Sequence, residues 1–168
     1  EKSDGVKIIF VGNSGVGKTT LLGSMLKHSF NENVQSTIYP AFYTQTYTKT
    51  DGGKIELQLW DTAGQEKYHA VSQLFFRNSN IAVVCFAAGD QESMSAVHEW
   101  VRMVKNEEID CFLLFVATKS DLLEKEDFEN VIGDAEAELQ QYENANFFLT
   151  SSKTGYNVDN VFKALCEL

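Results

Sequence analysis

One stretch near the N-terminus decides the fold of this chain: Gly12-Asn13-Ser14-Gly15-Val16-Gly17-Lys18-Thr19. It fits the pattern G-x-x-x-x-G-K-[ST], with a buried-strand pattern over 6–11 before it and a helical stripe of leucines directly after it. A strand, a glycine-rich turn and a helix start surround an anion with backbone N–H groups. Lys18 adds a cation for the outer phosphates, and the Thr19 hydroxyl suits Mg²⁺. The stretch therefore predicts a phosphate-binding loop, in preference to a plain connecting turn. The expected phosphate-binding residues are Ser14, Gly15, Val16, Gly17, Lys18, Thr19 and Thr20.

Composition narrows the class of protein. The chain has 168 residues, 43% of them hydrophobic, which suits a single globular domain over 1–168, with a flexible start at 1–5. A net charge of −10 argues against nucleic acid or an anionic membrane surface as a partner of the domain itself. No apolar run reaches the roughly 18 residues of a membrane span. Three cysteines without metal-ligand spacing indicate reduced thiols in a cytosolic protein.

Strand and helix patterns alternate along the rest of the chain. Strand patterns cover 42–50, 55–60, 81–86, 112–117 and 147–149, the first two joined by the turn Asp51-Gly52-Gly53. Two of these, 81–86 and 112–117, are continuous apolar runs, typical of strands covered on both faces. Helical spacing appears over 94–104 and 158–165, with Trp100 on a core-facing helix, and acidic residues over 124–138 indicate a solvated helix face. The pattern predicts a three-layer α/β fold whose six-stranded sheet is mostly parallel, with one antiparallel edge strand and about five helices.

Several of the loops that follow these strands carry polar residues suited to a nucleotide. Ligands of such sheets bind beyond the carboxyl ends of the strands, so these loops should converge. Asp61 can hold Mg²⁺, Gly64 offers an unobstructed backbone N–H to phosphate, and Gln65 can orient a water molecule. The Asp121 carboxylate can accept two hydrogen bonds side by side, which matches the N1–H and N2–H₂ donors of guanine and not adenine. The loops therefore favour guanine over adenine.

Taken together, these motifs resemble the small GTPases of the Ras superfamily, in order and in spacing over nearly the whole chain. Within the superfamily the chain is most similar to the Rab branch, through Leu57–Glu66, Phe75-Phe76-Arg77 and Thr154–Val158. The motifs that carry the resemblance are Gly12–Thr19, Thr37, Trp60–Glu66, Thr118-Lys119-Ser120-Asp121 and Ser151-Ser152-Lys153.

This resemblance implies a three-layer P-loop small G domain and a role for each site residue. Gln65, Lys18 and Thr37 would be catalytic, with Gln65 positioning the attacking water. Mg²⁺ would be held by Thr19, Thr37 and Asp61, and GTP or GDP would be the bound nucleotide. Segments 30–41 and 62–77 would be switches ordered by GTP. The guanine-binding residues would be Phe30, Thr118, Lys119, Asp121, Ser151, Ser152 and Lys153. Phe30 is as well explained by a hydrophobic plug at a loop start.

The chain departs from the family pattern at several positions, among them Ser14, Ala87-Ala88 and Ser152, and two further departures bear most on function. Thr118 stands where the family has Asn, whose amide reaches both the base and the phosphate loop. Losing such buried hydrogen bonds costs about 1–3 kcal/mol, so we expect faster nucleotide exchange than in close relatives. In the first switch, Tyr39-Pro40-Ala41-Phe42 replaces the usual Gly and aliphatic-acidic run. Proline fixes its own φ and extends Tyr39, which predicts either a tolerated strand start or an altered partner surface.

A monomeric GTPase that works as a switch is the favoured interpretation. Its partners would be effectors, an exchange factor and a GAP, contacting the switch segments. It would regulate vesicle and membrane trafficking, with the full-length protein cytoplasmic and associated with endosomal or Golgi membranes through a lipidated tail. The chain stops at Cys166-Glu167-Leu168, which fits no lipidation motif, so either that tail lies outside this sequence or the domain continues into a different segment. One alternative is a non-hydrolysing scaffold with weakened nucleotide binding, and another, disfavoured by Asp121, is an ATP-using kinase.

Overall fold

A computed structural model describes residues 5–26, 41–62 and 75–167. Within them lie six strands and four α-helices, together with two short 3₁₀ turns at Ser120–Leu122 and Lys125–Asp127. The strands are β1 Gly5–Val11, β2 Ala41–Thr48, β3 Lys54–Asp61, β4 Ile81–Ala87, β5 Phe112–Thr118 and β6 Ala145–Leu149. The helices are α1 Lys18–Met25, α2 Gln91–Glu107, α3 Phe128–Leu139 and α4 Val158–Glu167.

All six strands form one sheet, in the order β2-β3-β1-β4-β5-β6. Every neighbouring pair is parallel except β2 and β3, which form an antiparallel hairpin at the edge. The hairpin turn is closed by the Lys49 N–H donating to the Gly53 carbonyl at 2.7 Å. The predicted α/β fold, its mostly parallel six-stranded sheet and its antiparallel edge strand are confirmed.

Alternate residues of the central strands pack into two separate cores, one on each face of the sheet. In β1, Ile9 and Val11 join the core beneath α2 and α3, whereas Ile8 and Phe10 join the core beneath α1 and α4. The same alternation holds along β5. Because both faces of these strands are covered, their sequences are continuously apolar, as expected for the centre of a parallel sheet.

Some boundaries differ from the predictions. Gly5, expected to belong to a flexible start, is the first residue of β1, where it lies opposite Glu56 of β3. The last strand begins at Ala145 instead of Phe147 because its backbone pairs with Leu113 from that residue on. No helix in the described ranges combines the length and the apolar character that crossing a membrane requires.

Candidate functional site

The stretch Gly12–Thr19 forms the turn between β1 and α1. Gly12 has φ +142°, and a Cβ atom at this position would stand 2.3 Å from the Cys85 carbonyl oxygen, so only glycine fits so close to β4. Gly17, with φ +96°, is the N-cap residue of α1, a conformation that glycine adopts without strain. The first N–H groups of a helix have no partner within it, so α1 adds donors to this turn. The loop has the backbone geometry of an anion-binding turn.

Lys18 lies beneath the loop and is held by the loop backbone. The residue is 6% exposed, and its Nζ donates to the Gly12 carbonyl at 2.8 Å and to the Asn13 carbonyl at 3.2 Å. Burial lowers the pKa of Lys18, while the nearby Cys85 and Asp61 oppose that shift. An ammonium group has three donors, so a third remains for a phosphate oxygen. The phosphate charge would also offset the cost of burying the cation.

Thr19 and Asp61 meet at the predicted metal position. The Thr19 hydroxyl donates to Asp61 Oδ2 at 2.5 Å, although the two residues stand 42 positions apart. Asp61 is the last residue of β3 and is fully buried. A hydroxyl and a carboxylate are the oxygen ligands that Mg²⁺ prefers, and this ion usually completes its shell with water and substrate phosphates. The residues present therefore fit a magnesium site beside the phosphate loop.

Thr118, at the end of β5, connects the predicted base-binding loop to the predicted phosphate loop. The residue is 2% exposed. Its hydroxyl donates to the Val16 carbonyl and lies 3.2 Å from the Phe86 carbonyl oxygen. Threonine thus makes a direct link to the phosphate loop, although the sequence predicted that it would lose hydrogen bonds that asparagine makes there. A hydroxyl carries a single proton, however, and here two carbonyl groups share it.

Lys119 makes a second connection between the two sides. It adopts a left-handed conformation, with φ +61°, and its Nζ donates to the Gly15 carbonyl at 2.6 Å. Gly15 itself has φ +83° and is exposed near the tip of the phosphate loop. The Lys119 side chain therefore crosses from the end of β5 to the loop after β1.

Asp121 and Ser151 bring the loops after β5 and β6 together. The Ser151 hydroxyl donates to Asp121 Oδ1 at 2.8 Å, and the Ser120 N–H donates to the Thr150 carbonyl at 3.0 Å. Asp121 is exposed while Ser151 is buried, so a fixed hydroxyl orients an accessible carboxylate. A carboxylate has about four lone-pair positions, which leaves capacity for two donors of a base.

The other predicted site residues stand as follows. Ser14 is exposed on the phosphate loop and Thr20 is half-buried in α1, while Ser152 is half-buried and Lys153 exposed after β6. The remaining ones lie outside the described residues, so their roles stay predictions; they are Phe30, Thr37, Gly64 and Gln65. The same holds for residues 30–40 and 63–74 of the two predicted switch segments.

An aromatic cluster at the end of the hairpin did not emerge from the sequence. Phe42 of β2 lies opposite Trp60 of β3, with ring centroids 4.5 Å apart, and Phe75 packs against Trp60 at 5.6 Å. The Lys7 ammonium lies 5.2 Å from the Trp60 ring, and Phe42 is 47% exposed. A turn over 51–53 would place Phe42 opposite Thr62. The pair with Trp60 forms because the turn closes earlier, between Lys49 and Gly53, a register that the sequence did not indicate.

Comparison with protein families matches the chain to one model. The model described as the Ras family matches residues 7–168, which include every strand and helix of the described structure apart from the first two residues of β1.

Individual relatives agree with this match. The chain is similar to "GTP-binding protein ypt5" of Schizosaccharomyces pombe, 32% identical over 96% of this chain and 76% of the relative. It is 34% identical to "Ras-related protein Rab-5B" of Plasmodium falciparum, again over 96% of this chain and 76% of the relative. A third relative is "Ras-related protein RABF2a" of Arabidopsis thaliana, 32% identical over 99% of this chain and 82% of the relative.

Proposed function

This chain belongs to the Ras family, and from that membership we propose that it is a guanine-nucleotide switch. It would bind GTP with Mg²⁺ and hydrolyse it slowly to GDP. As a Rab-like protein it would regulate vesicle or membrane trafficking. The main support is the pair of contacts that join the two sides of the site. The Lys119 ammonium donates a hydrogen bond to the Gly15 carbonyl, and the Thr118 hydroxyl donates one to the Val16 carbonyl. Because the base and the phosphates of a nucleotide are covalently joined, their binding sites must lie at a fixed separation, and these two contacts would set that separation.

Guanine would be recognised mainly by Asp121. Its carboxylate would accept the N1–H and N2–H₂ donors of the base while the Ser151 hydroxyl holds it from the other side. The stem of Lys119 would lie along the ring, and the backbone N–H of Ser152 would meet the O6 atom. Adenine lacks the paired donors and would leave the carboxylate unsatisfied, which costs free energy.

Hydrolysis would depend on charge stabilisation and on a positioned water molecule. Lys18 and the loop N–H groups would hold the charge that develops on the γ-phosphate, and Gln65 would orient the water. Thr19, Asp61 and Thr37 would hold Mg²⁺, which neutralises phosphate charge when bound. No arginine occurs in 12–19 or in 28–41, so none is supplied there in cis. Unassisted turnover should be on the order of 10⁻³ s⁻¹ or slower, with a GAP accelerating it.

The first test is to denature the purified protein and identify the released nucleotide by ion-exchange chromatography. Stoichiometric GDP supports both guanine recognition and hydrolysis, and GTP supports recognition but points to a stalled switch. An empty site, which stays empty after incubation with GTP and Mg²⁺, favours the alternative of a non-hydrolysing scaffold. A bound adenine nucleotide would overturn the proposal.

Hydrolysis is tested by single-turnover assays of the protein loaded with GTP. Gln65→Ala should slow the reaction at least about tenfold, because the water loses its orienting amide. Gln140→Ala is a matched control, since Gln140 is exposed at the end of α3. An equal rate in the two variants would contradict the assignment of Gln65. A wild-type rate near 1 s⁻¹ would be incompatible with a switch that needs a GAP.

The aromatic cluster supports a partner surface beside the switch segments. Phe42, Trp60 and Phe75 form a partly exposed apolar patch where Phe75 packs against the end of the hairpin. Aromatic patches of this kind are enriched at protein interfaces. We propose that effectors, an exchange factor and a GAP contact the chain here, and that the full-length protein associates with endosomal or Golgi membranes.

A further inference from the structure

Trp100 connects the core of the molecule to the phosphate loop. The residue lies in the middle of α2, is 3% exposed, and packs in the same core as Val11 of β1. Its indole Nε1 donates to the side-chain oxygen of Asn13 at 3.0 Å, across 87 positions of the chain. A buried indole N–H needs such an acceptor, and the packing of the large ring fixes where that N–H points.

Asn13 is held through both its side chain and its backbone carbonyl group. Its side chain accepts the indole N–H, while its own carbonyl accepts the Lys18 ammonium at 3.2 Å and lies 3.4 Å from the Val16 N–H. The carbonyl that steadies Lys18 therefore belongs to a residue whose side chain is tied to α2. Without that tie, Asn13 gains rotamer and backbone freedom, which a bound nucleotide would have to remove.

We propose that Trp100 is a positioning residue for the phosphate site: its indole N–H orients Asn13 and so fixes the carbonyl groups that hold Lys18. This proposal rests on the function proposed above, because its consequence is measured on a bound nucleotide. Trp100 touches no nucleotide in this account; it acts through Asn13. The helix α2 is thereby coupled to the phosphate loop, and the strength of that coupling is measurable.

The test is a double-mutant cycle on the release rate of fluorescent GDP, with Trp100→Phe, Asn13→Ala and both together. Phenylalanine keeps an aromatic ring in the core. It removes the indole N–H donor and also part of the ring volume. Each single substitution should speed release about three- to tenfold, the effect of losing one hydrogen bond. The double variant should release GDP no faster than the faster single variant, because both substitutions break the same contact.

A matched control separates positioning from loss of stability. Met103 lies on the same helix, is 3% exposed and belongs to the same core cluster. Met103→Ala should lower the unfolding temperature by creating a cavity, yet leave GDP release within about twofold of the wild type. If Met103→Ala speeds release as much as Trp100→Phe does, or if the cycle is additive, Trp100 has only a structural role and the proposal is wrong.

A second measurement detects the contact without nucleotide turnover. The chain has two tryptophans, so its ¹⁵N–¹H spectrum has two indole signals, and Trp100→Phe assigns one of them. That signal should exchange slowly with solvent and should shift and exchange faster in Asn13→Ala. An unchanged signal would overturn the proposal while leaving the proposed function intact. A wild-type protein that binds no guanine nucleotide would overturn both.

Discussion

At the scale of single residues, the important limit in the site is that the Thr118 side chain has only one hydrogen-bond donor. Its one hydroxyl proton is directed at the Val16 carbonyl, with the Phe86 carbonyl 3.2 Å away. Both acceptors belong to the protein backbone, so none of this donor capacity is left for a base. An asparagine amide would bring two protons and a longer reach. Thr118 therefore keeps the link to the phosphate loop, and in the proposed function the base would be left to Asp121 and Lys119.

Replacing Thr118 tests this division directly. Thr118→Asn should slow GDP release about tenfold, because the second amide proton can reach the base while the first keeps the loop contact. Thr118→Val keeps the shape but removes the donor, leaving the Val16 carbonyl unsatisfied, and should speed release about three- to tenfold. Stopped-flow release of fluorescent GDP measures both rates. An off-rate that is the same in Thr118→Asn and in the wild type would contradict the explanation.

At the scale of elements, the start of α3 illustrates what decides a helix boundary. The acidic sequence over 124–138 suggested one solvated helix face, but residues 125–127 form a 3₁₀ turn and α3 begins at Phe128. The four residues 124–127 are charged and exposed, with no apolar side chain to bury. Phe128 is the first that packs against the core, followed by Ile132, Ala135 and Leu139 on the same helix face. Tertiary packing, more than intrinsic propensity, stabilises most protein helices.

Two glycines outside the site allow a matched test of element stability. Gly133 lies inside α3 with open space around it, and Ala there should raise the free energy of unfolding by about 0.5–1 kcal/mol, since glycine is the poorer helix former. Gly155 has equally open surroundings but φ +81°, so Ala there should lower that free energy by about 1–2 kcal/mol. Urea unfolding measures both. Changes of the same sign in the two variants would show that backbone conformation is not the deciding factor.

At the scale of the whole molecule, the sheet places a cysteine thiol where water does not reach. Cys85 lies in the centre of β4 and is 1% exposed, and burial raises the pKa of its thiol to about 12, against the opposing influence of Lys18. In the unfolded chain the same thiol would ionise near pH 9, its ordinary value. Above that pH the unfolded state loses the proton while the folded state retains it. The stabilisation is therefore complete below about pH 9 and is lost as the pH rises toward 12.

Urea unfolding between pH 8 and 10.5 should show this loss. The free energy of unfolding should fall with a slope approaching 1.4 kcal/mol per pH unit for this one thiol, added to the slopes of other groups. Cys85→Ala should lower stability at every pH but flatten the decline above pH 9. Equal slopes in the wild type and in this variant would show that Cys85 ionises as easily in the folded protein as in the unfolded chain.

The sequence by itself determined the class of fold and the kinds of chemical group that the predicted site contains. Apolar runs in β4 and β5 indicated a sheet covered on both faces, because strands buried on both sides have no polar positions. The glycine pattern of 12–19 indicated an anion-binding turn, and the structure gives the reason for two of the glycines: Gly12 has positive φ against the Cys85 carbonyl, and Gly17 has positive φ at the start of α1. These features are local or periodic, and local or periodic features can be recognised in a linear sequence. The roles of Thr37 and Gln65 stay predictions, since both lie outside the described residues.

Only the tertiary structure decided how the two sides of the site are joined. Thr118 reaches Val16 across 102 positions, Lys119 reaches Gly15 across 104, and Trp100 reaches Asn13 across 87. The first two contacts exist because the sheet order sets β1 beside β4 and β4 beside β5, so that loops distant in the chain leave the same edge. The third exists because α2 packs on the core that contains Val11 of β1. No local pattern encodes them, since each depends on strand order, register and side-chain rotamers that arise only when the cores pack.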